Sequence, residues 1–143
     1  MKKIFLASDH AGFDLKKHVE TSLIKKGFLV EDKGCDSNDS VDYPDYAHLL
    51  ALEVEKNEDS FGFVFCGSGN GINMTVNKHQ GIRSALCWNS EIARLARLHN
   101  NANVLALPAR FLSENETDSI IEVFLNTNFE GGRHQIRIDK IPC

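Results

Sequence analysis

The sequence predicts an α/β fold of three layers, in which a five-stranded, mostly parallel sheet carries helices on both faces. Two patterns predict it. Five short apolar runs, at 3–7, 28–30, 61–65, 83–87 and 104–107, each have strand length. Segments of helical period separate them, the alternation that builds a sheet from strand, helix and strand units.

Taken in order, 3–7 is a strand that the polar and small residues Ser8-Asp9-His10-Ala11-Gly12 interrupt. Between 13 and 26, Leu15, Val19 and Leu23 keep the spacing of one helical face, and Gly27 stops the helix. A second strand resumes at 28–30, followed by a loop at 33–43 rich in Asp, Ser, Asn and Gly. Pro44 suits a first helical turn, after which Ala47, Leu50, Ala51 and Val54 form an apolar stripe. The strand 61–65 is unbroken in apolar character and empties into Cys66-Gly67-Ser68-Gly69-Asn70-Gly71, with a short helix running on to about Lys78. After Gly81 comes the strand 83–87, then a helix that Ser90 can cap, with Ile92, Leu95 and Ala96 inward and His99-Asn100-Asn101 at its end. The strand 104–107 ends at Pro108, and Ser113 with Glu116 makes a capping box for a last helix bearing Ile120, Ile121, Phe124 and Leu125. No repeat or linker divides the chain, so 1–143 reads as one domain whose tail, 130–143, is too polar to close the core by itself.

Composition narrows the function classes. With 42% apolar and 25% charged residues the chain is globular, and its formal charge of −4 argues against a generic nucleic-acid binder. Four cysteines, Cys35, Cys66, Cys87 and Cys143, show neither C-x-x-C spacing nor a secreted framework, which fits reduced thiols. No charged-then-apolar leader precedes Ile4 and no apolar run approaches membrane-spanning length; a cytoplasmic protein is expected. No two candidate metal ligands have a recognisable pairing, and His18, His48 and His79 read as surface residues, so no metal and no cofactor is expected.

The chemistry centres on residues 66–71. Three glycines in five positions let the backbone present successive N–H groups to one point, and the following helix adds its positive end. A thiol there is expected to have a lowered pKa. Ligands of open parallel sheets bind beyond the carboxyl ends of the strands, and Asp9, His10, Cys66 to Gly71 and Arg110 each follow a strand, so they are expected to converge on one crevice. Each has a plainer reading. Cys66 alone would be a buried hydrophobe, Ser68 a turn residue and Asp9 a helix cap. His99 falls on the inward face of its helix, where packing and an acid or base role are about equally supported. Arg110, Arg133 and Arg137 suit solvent as well as phosphate, although Arg133 and Arg137, four apart, project together if the tail is helical.

Familiar loops are excluded residue by residue. A C-x5-R phosphatase loop needs arginine where Ile72 stands, a Walker loop needs lysine where Ser68 follows Gly67, and the third glycine of G-x-G-x-x-G arrives one residue early at Gly71. What remains is a small phosphorylated substrate handled by a thiolate.

At this point the motifs Ser8-Asp9-His10-Ala11-Gly12, Asp42-Tyr43-Pro44, Cys66-Gly67-Ser68-Gly69-Asn70-Gly71-Ile72, Asn77-Lys78 with Gly81-Ile82-Arg83, His99-Asn100-Asn101-Ala102-Asn103-Val104-Leu105 and Glu130-Gly131-Gly132-Arg133-His134 resemble ribose-5-phosphate isomerase type B, in the group that includes the subunits of galactose-6-phosphate isomerase. The resemblance runs from Met1 to about Ile138, in order. It implies a Rossmann-like sheet and a homodimer, with a tetramer left open, whose active sites lie at the subunit interface and into which the tail reaches. It also implies metal-free interconversion of ribose 5-phosphate and ribulose 5-phosphate, with neither nucleic acid nor membrane as partner. By position, Cys66 resembles the base that removes the C2 proton, and Ser68 with the amides of Gly67, Gly69, Asn70 and Gly71 resembles the hole for the enediolate. His99 resembles the group that opens the furanose, assisted by Asp9. His10, Arg110, Arg133 and Arg137 resemble the phosphate contacts, some from the partner subunit, while Tyr43 and Asn100 line the sugar site. Ser68 stands where many members have threonine, and Cys66 with Ile72 marks the cysteine branch rather than the one with glycine and glutamate there. A six-carbon sugar-phosphate isomerase and a non-catalytic sugar-phosphate sensor are the alternatives.

Overall fold

A computed structural model describes residues 2–143. Five strands, β1 (Lys3–Ser8), β2 (Leu29–Asp32), β3 (Ser60–Cys66), β4 (Ser84–Leu86) and β5 (Val104–Pro108), form one sheet in the order β2-β1-β3-β5-β4. Every pairing is parallel, so the expected mostly parallel sheet is wholly so. Six helices flank it: α1 (Phe13–Lys25), α2 (Tyr43–Lys56), α3 (Asn70–Val76), α4 (Ser90–Asn100), α5 (Glu114–Asn126) and α6 (Arg133–Ile138).

Strand alternation divides the core between the two faces. Ile4, Leu6, Phe61, Phe63, Phe65, Leu105 and Leu107 point to the side covered by α1, α4 and α5. Phe5, Ala7, Val64, Cys66, Val104 and Ala106 point to the side covered by α2 and α3. Gly62 is the close approach that seats α2, since a Cβ there would stand 2.6 Å from Leu50 Cδ2.

Several local expectations shift. Strand β2 runs on through Glu31 and Asp32 because lysines neutralise both: Lys3 and Lys33 reach Glu31, and Lys16 and Lys17 reach Asp32. Strand β4 is shorter than the apolar run predicts. The cap of α4 is Asn89, not Ser90; its Oδ1 accepts the Ile92 N–H at 2.9 Å. Ser113 caps α5 as its pattern predicts. The polar tail folds into α6, burying His134 and Ile138. His79 is not a free surface residue: its side chain is 16% exposed and its ring nitrogens meet His48 at 2.8 Å and Glu55 at 3.3 Å. Among the described residues no helix is long and apolar enough to cross a membrane.

Candidate active site

The carboxyl edge of the sheet gathers the residues that end β1, β3 and β5. Asp9, His10, Ala11, Tyr43, Cys66, Gly67, Ser68, Gly71, Arg110 and Phe111 line a hollow of about 560 Å³. The predicted convergence is therefore present in one chain for Asp9, His10, Cys66, Gly67, Ser68, Gly71 and Arg110, while Gly69 and Asn70 form the turn behind the lining. Parallel topology is the cause, because each of these residues follows a strand pointing the same way.

Each wall has a local reason. Asp9 Oδ1 accepts the Gly12 N–H at 3.0 Å and so closes the turn that leads into α1; the N-cap itself is Gly12, not Asp9, whose carboxylate also lines the hollow. His10 Nδ1 accepts the Val41 N–H at 3.2 Å, which places the proton of the neutral ring on Nε2 as a free donor. Gly69 has φ of 77°, the left-handed turn by which β3 leaves into α3. Ser68 Oγ accepts from the backbone and side-chain nitrogens of Asn70, leaving its own proton to donate elsewhere. Arg110 ties back through its N–H to Gly67 O at 3.0 Å, and a Cβ on Gly67 would meet its Nη1 at 3.1 Å. Tyr43, at the first turn of α2, packs its ring directly on Gly71.

The thiol departs from expectation. Burial pushes Cys66 above the ordinary thiol value, the Asp9 carboxylate adds to the rise, and the amides of Ile72, Gly69 and Gly71 only partly oppose it. The lowered pKa expected at this loop is thus corrected: Cys66 is 4% exposed, and desolvation of a thiolate outweighs three N–H dipoles.

The remaining predicted residues lie elsewhere in the chain. His99 and Asn100 end α4 just before β5 begins at Val104, whereas Cys66 pairs with Pro108 at the other end of that strand. The length of β5, roughly 15 Å, separates the two edges. Two arginines anchor this end of α4: Arg83 donates to the carbonyls of Asn100 and Asn101, and the buried Arg97 to Ala102 O and Thr127 O. The His99 ring stacks on His134 of α6, with centroids 4.3 Å apart, and Arg133 and Arg137 stand exposed on α6. Among the described residues Arg94 is the arginine paired with a carboxylate; Arg110, Arg133 and Arg137 have no such partner. Sequence reasoning missed Phe111, 73% exposed at the hollow's rim, and the part played by Glu130 beside His99. An exposed phenylalanine next to an unpaired arginine is a signal for the first; the second needed the three-dimensional contact.

Fold and site together define an α/β protein with a thiol, a histidine donor and an unpaired arginine opening at the carboxyl edge of a parallel sheet. The family described as Ribose/Galactose Isomerase matches residues 4–141, and the chain belongs to that family. It is 50% identical to the "Probable ribose-5-phosphate isomerase B" of Mycoplasma genitalium over 142 residues, covering 96% of this chain and 92% of that protein. It is 41% identical to ribose-5-phosphate isomerase B of Escherichia coli, covering 100% of this chain and 96% of that one. The crystal structure of a ribose 5-phosphate isomerase from Thermotoga maritima superposes with a TM-score of 0.97 at 49% identity, covering 99% and 97% of the two chains. That of the Mycoplasma genitalium ribose-5-phosphate isomerase B with bound ribulose-5-phosphate gives 0.94 at 48% identity, covering 97% and 93%.

Proposed function

We propose that this chain interconverts ribose 5-phosphate and ribulose 5-phosphate by proton transfer through an enediolate, in a homodimer whose two sites are each built from both subunits. The observation that carries the reading is Cys66, a thiol at the floor of the carboxyl-edge hollow with three amides aimed at its sulfur. In the opened aldose, the Cys66 thiolate removes the C2 proton; the electron pair forms the C1–C2 double bond and leaves negative charge on O1. The Ser68 hydroxyl and the loop amides stabilise that charge, a contribution worth roughly a hundredfold or more per donor. The proton returns from Cys66 to C1, and the O2 hydroxyl proton passes to O1 as the C2 carbonyl forms, which regenerates the thiolate. His10 and Arg110 contribute to phosphate binding from the same chain as Cys66.

The separation of His99, Asn100, Arg133 and Arg137 from Cys66 supports the shared site. A two-fold dimer that sets the amino edge of one subunit against the carboxyl edge of the other completes both hollows at once. The tail, 130–143, is then the segment that reaches the partner.

Coexpressed Cys66→Ala and His99→Asn chains test this. Each mixed dimer holds one intact site and one doubly altered site, so random pairing returns about a quarter of wild-type turnover from two inactive parents. No recovery in isolated mixed dimers sinks the shared site. Deuterium entry at C2 of ribose 5-phosphate, compared with six-carbon phosphates, tests the chemistry; binding without exchange marks a sensor instead.

A further inference from the structure

His99, Glu130 and His134 bring their donor atoms within 4.8 Å of one another. The imidazoles of His99 and His134 lie nearly parallel, 16° apart, with centroids at 4.3 Å. His134 Nε2 donates to Glu130 Oε2 at 3.2 Å, and His99 Nε2 stands 3.7 Å from that same oxygen. Imidazole lone pairs lie in the ring plane, so two near-parallel rings aim side by side rather than at one ion. The arrangement is suited instead to holding a ring in place.

We propose that His134 and Glu130 are positioning residues for His99: His134 fixes the plane of the His99 ring by stacking, and Glu130 sets which edge of it faces the carboxylate. This rests on the isomerase reading above, in which His99 opens the sugar ring. Each link in the support is anchored. His134 is 8% exposed, so its own ring cannot swing. Glu130 donates its N–H to Leu98 O at 3.0 Å, which ties the segment before α6 to the last turn of α4. Arg83 and Arg97 hold the backbone just beyond His99. The His99 side chain itself is 37% exposed and has no hydrogen bond of its own among the described residues, so the stack is what limits its rotation.

The arrangement also couples two duties. Arg133 and Arg137 sit on α6 with His134 between them. A substrate phosphate that draws on those arginines therefore loads the same helix that carries the ring behind His99. Phosphate binding and ring-opening geometry are set by one rigid unit, which explains why a histidine occupies one of the two buried positions of a six-residue helix.

The test uses the full chain as wild type, His134→Ala, His134→Phe and Glu130→Gln. Two substrates separate ring opening from proton transfer. Ribose 5-phosphate must open a furanose, whereas ribulose 5-phosphate has its C5 oxygen esterified and exchanges its C1 proton with solvent deuterium without any ring to open. His134→Ala should lower turnover of ribose 5-phosphate by about tenfold to a hundredfold, the cost of a displaced acid or base. Deuterium entry into ribulose 5-phosphate should stay within about twofold of wild type. His134→Phe, which keeps a ring face, should recover most of the loss, and Glu130→Gln should show a smaller loss of the same selective kind. Equal losses on both substrates, no loss at all, or Phe performing no better than Ala would overturn the proposal. A readout free of activity accompanies it: stacking shifts the His99 ring-proton resonances, and that shift should vanish in His134→Ala and persist in His134→Phe. Should His134→Ala fail to fold, Glu130→Gln, altered at a half-exposed side chain, decides by the same two rates. If wild type neither isomerises nor exchanges, the isomerase reading is at fault, and the resonances still judge the stack.

Discussion

Gly12→Ala would strike both the fold and the site through one atom. Gly12 is buried at the start of α1, where an added Cβ would lie 2.5 Å from Phe65 O and 2.6 Å from Phe65 C. These are backbone atoms of β3, one residue before Cys66, and cannot rotate away. Reaching ordinary contact at 3.4 Å requires 3.4 − 2.5 = 0.9 Å of movement between α1 and β3. That movement strains the Asp9 N–H bond to Phe65 O, 3.2 Å, and the Gly12 N–H bond to Asp9 Oδ1, 3.0 Å. Overpacking costs about 1–3 kcal/mol, each weakened hydrogen bond adds up to about 1, and the stiffer unfolded chain returns about 0.4–1. A net loss of about 2–3 kcal/mol corresponds to a melting temperature lower by about 5–10 °C for a chain of this size. Asp9 and His10 move with α1, so turnover should fall on the order of a hundredfold even well below the melt. Calorimetry and isomerase assays at low temperature measure the two effects separately. Gly27→Ala is the comparison: its φ of 89° disfavours alanine, yet nothing stands within 4 Å, so it should cost about 1 kcal/mol and leave turnover alone. Melting within about 2 °C of wild type with full activity would refute the packing argument for Gly12.

Other outcomes follow from the thiols. Because burial holds the Cys66 thiol above its ordinary value, the thiolate is a minority near neutrality and kcat/KM should climb as pH rises towards the alkaline range; a flat profile would remove Cys66 as the base. The Asp9 carboxylate contributes to that rise, so Asp9→Asn should quicken alkylation of Cys66 by iodoacetamide at neutral pH, and slower alkylation would contradict it. Burial pushes the Cys87 thiol up to about 12, while an unfolded thiol loses its proton near about pH 8.5. Between those values the unfolded chain holds fewer protons than the folded one, so stability from this group is complete below about pH 8.5 and falls above it by up to about 1.4 kcal/mol per unit. Urea midpoints of wild type and Cys87→Ala should therefore converge as pH rises through that window, and parallel curves would show that Cys87 does not titrate on unfolding.

Much of the fold was legible because it rests on local pattern. The runs around Phe61 to Phe65 and Val104 to Leu107 are strands whose both faces are buried, and their unbroken apolar character says so before any partner is known. The hollow was legible for a related reason: in an all-parallel sheet the residue after each strand lands at one edge, so Asp9, Cys66 and Arg110 were bound to meet. Weaker signals misled where a charge or a side-chain choice decided. The lysines that let Glu31 and Asp32 join β2 lie far away in sequence, and Asn89 competes with Ser90 for the same cap.

The sequence by itself determined the fold class, the carboxyl-edge hollow and most of the groups that line it, Phe111 excepted, since these follow from the order of strands, helices and turns along the chain. Tertiary structure decided the rest. It set the sign of the Cys66 shift, because desolvation depends on what packs over the sulfur and not on the glycines beside it. It also placed His99, Arg133 and Arg137 on the far edge of the sheet, a strand's length from the thiol. No spacing in a linear chain records that distance, because it depends on which end of the sheet each connection returns to.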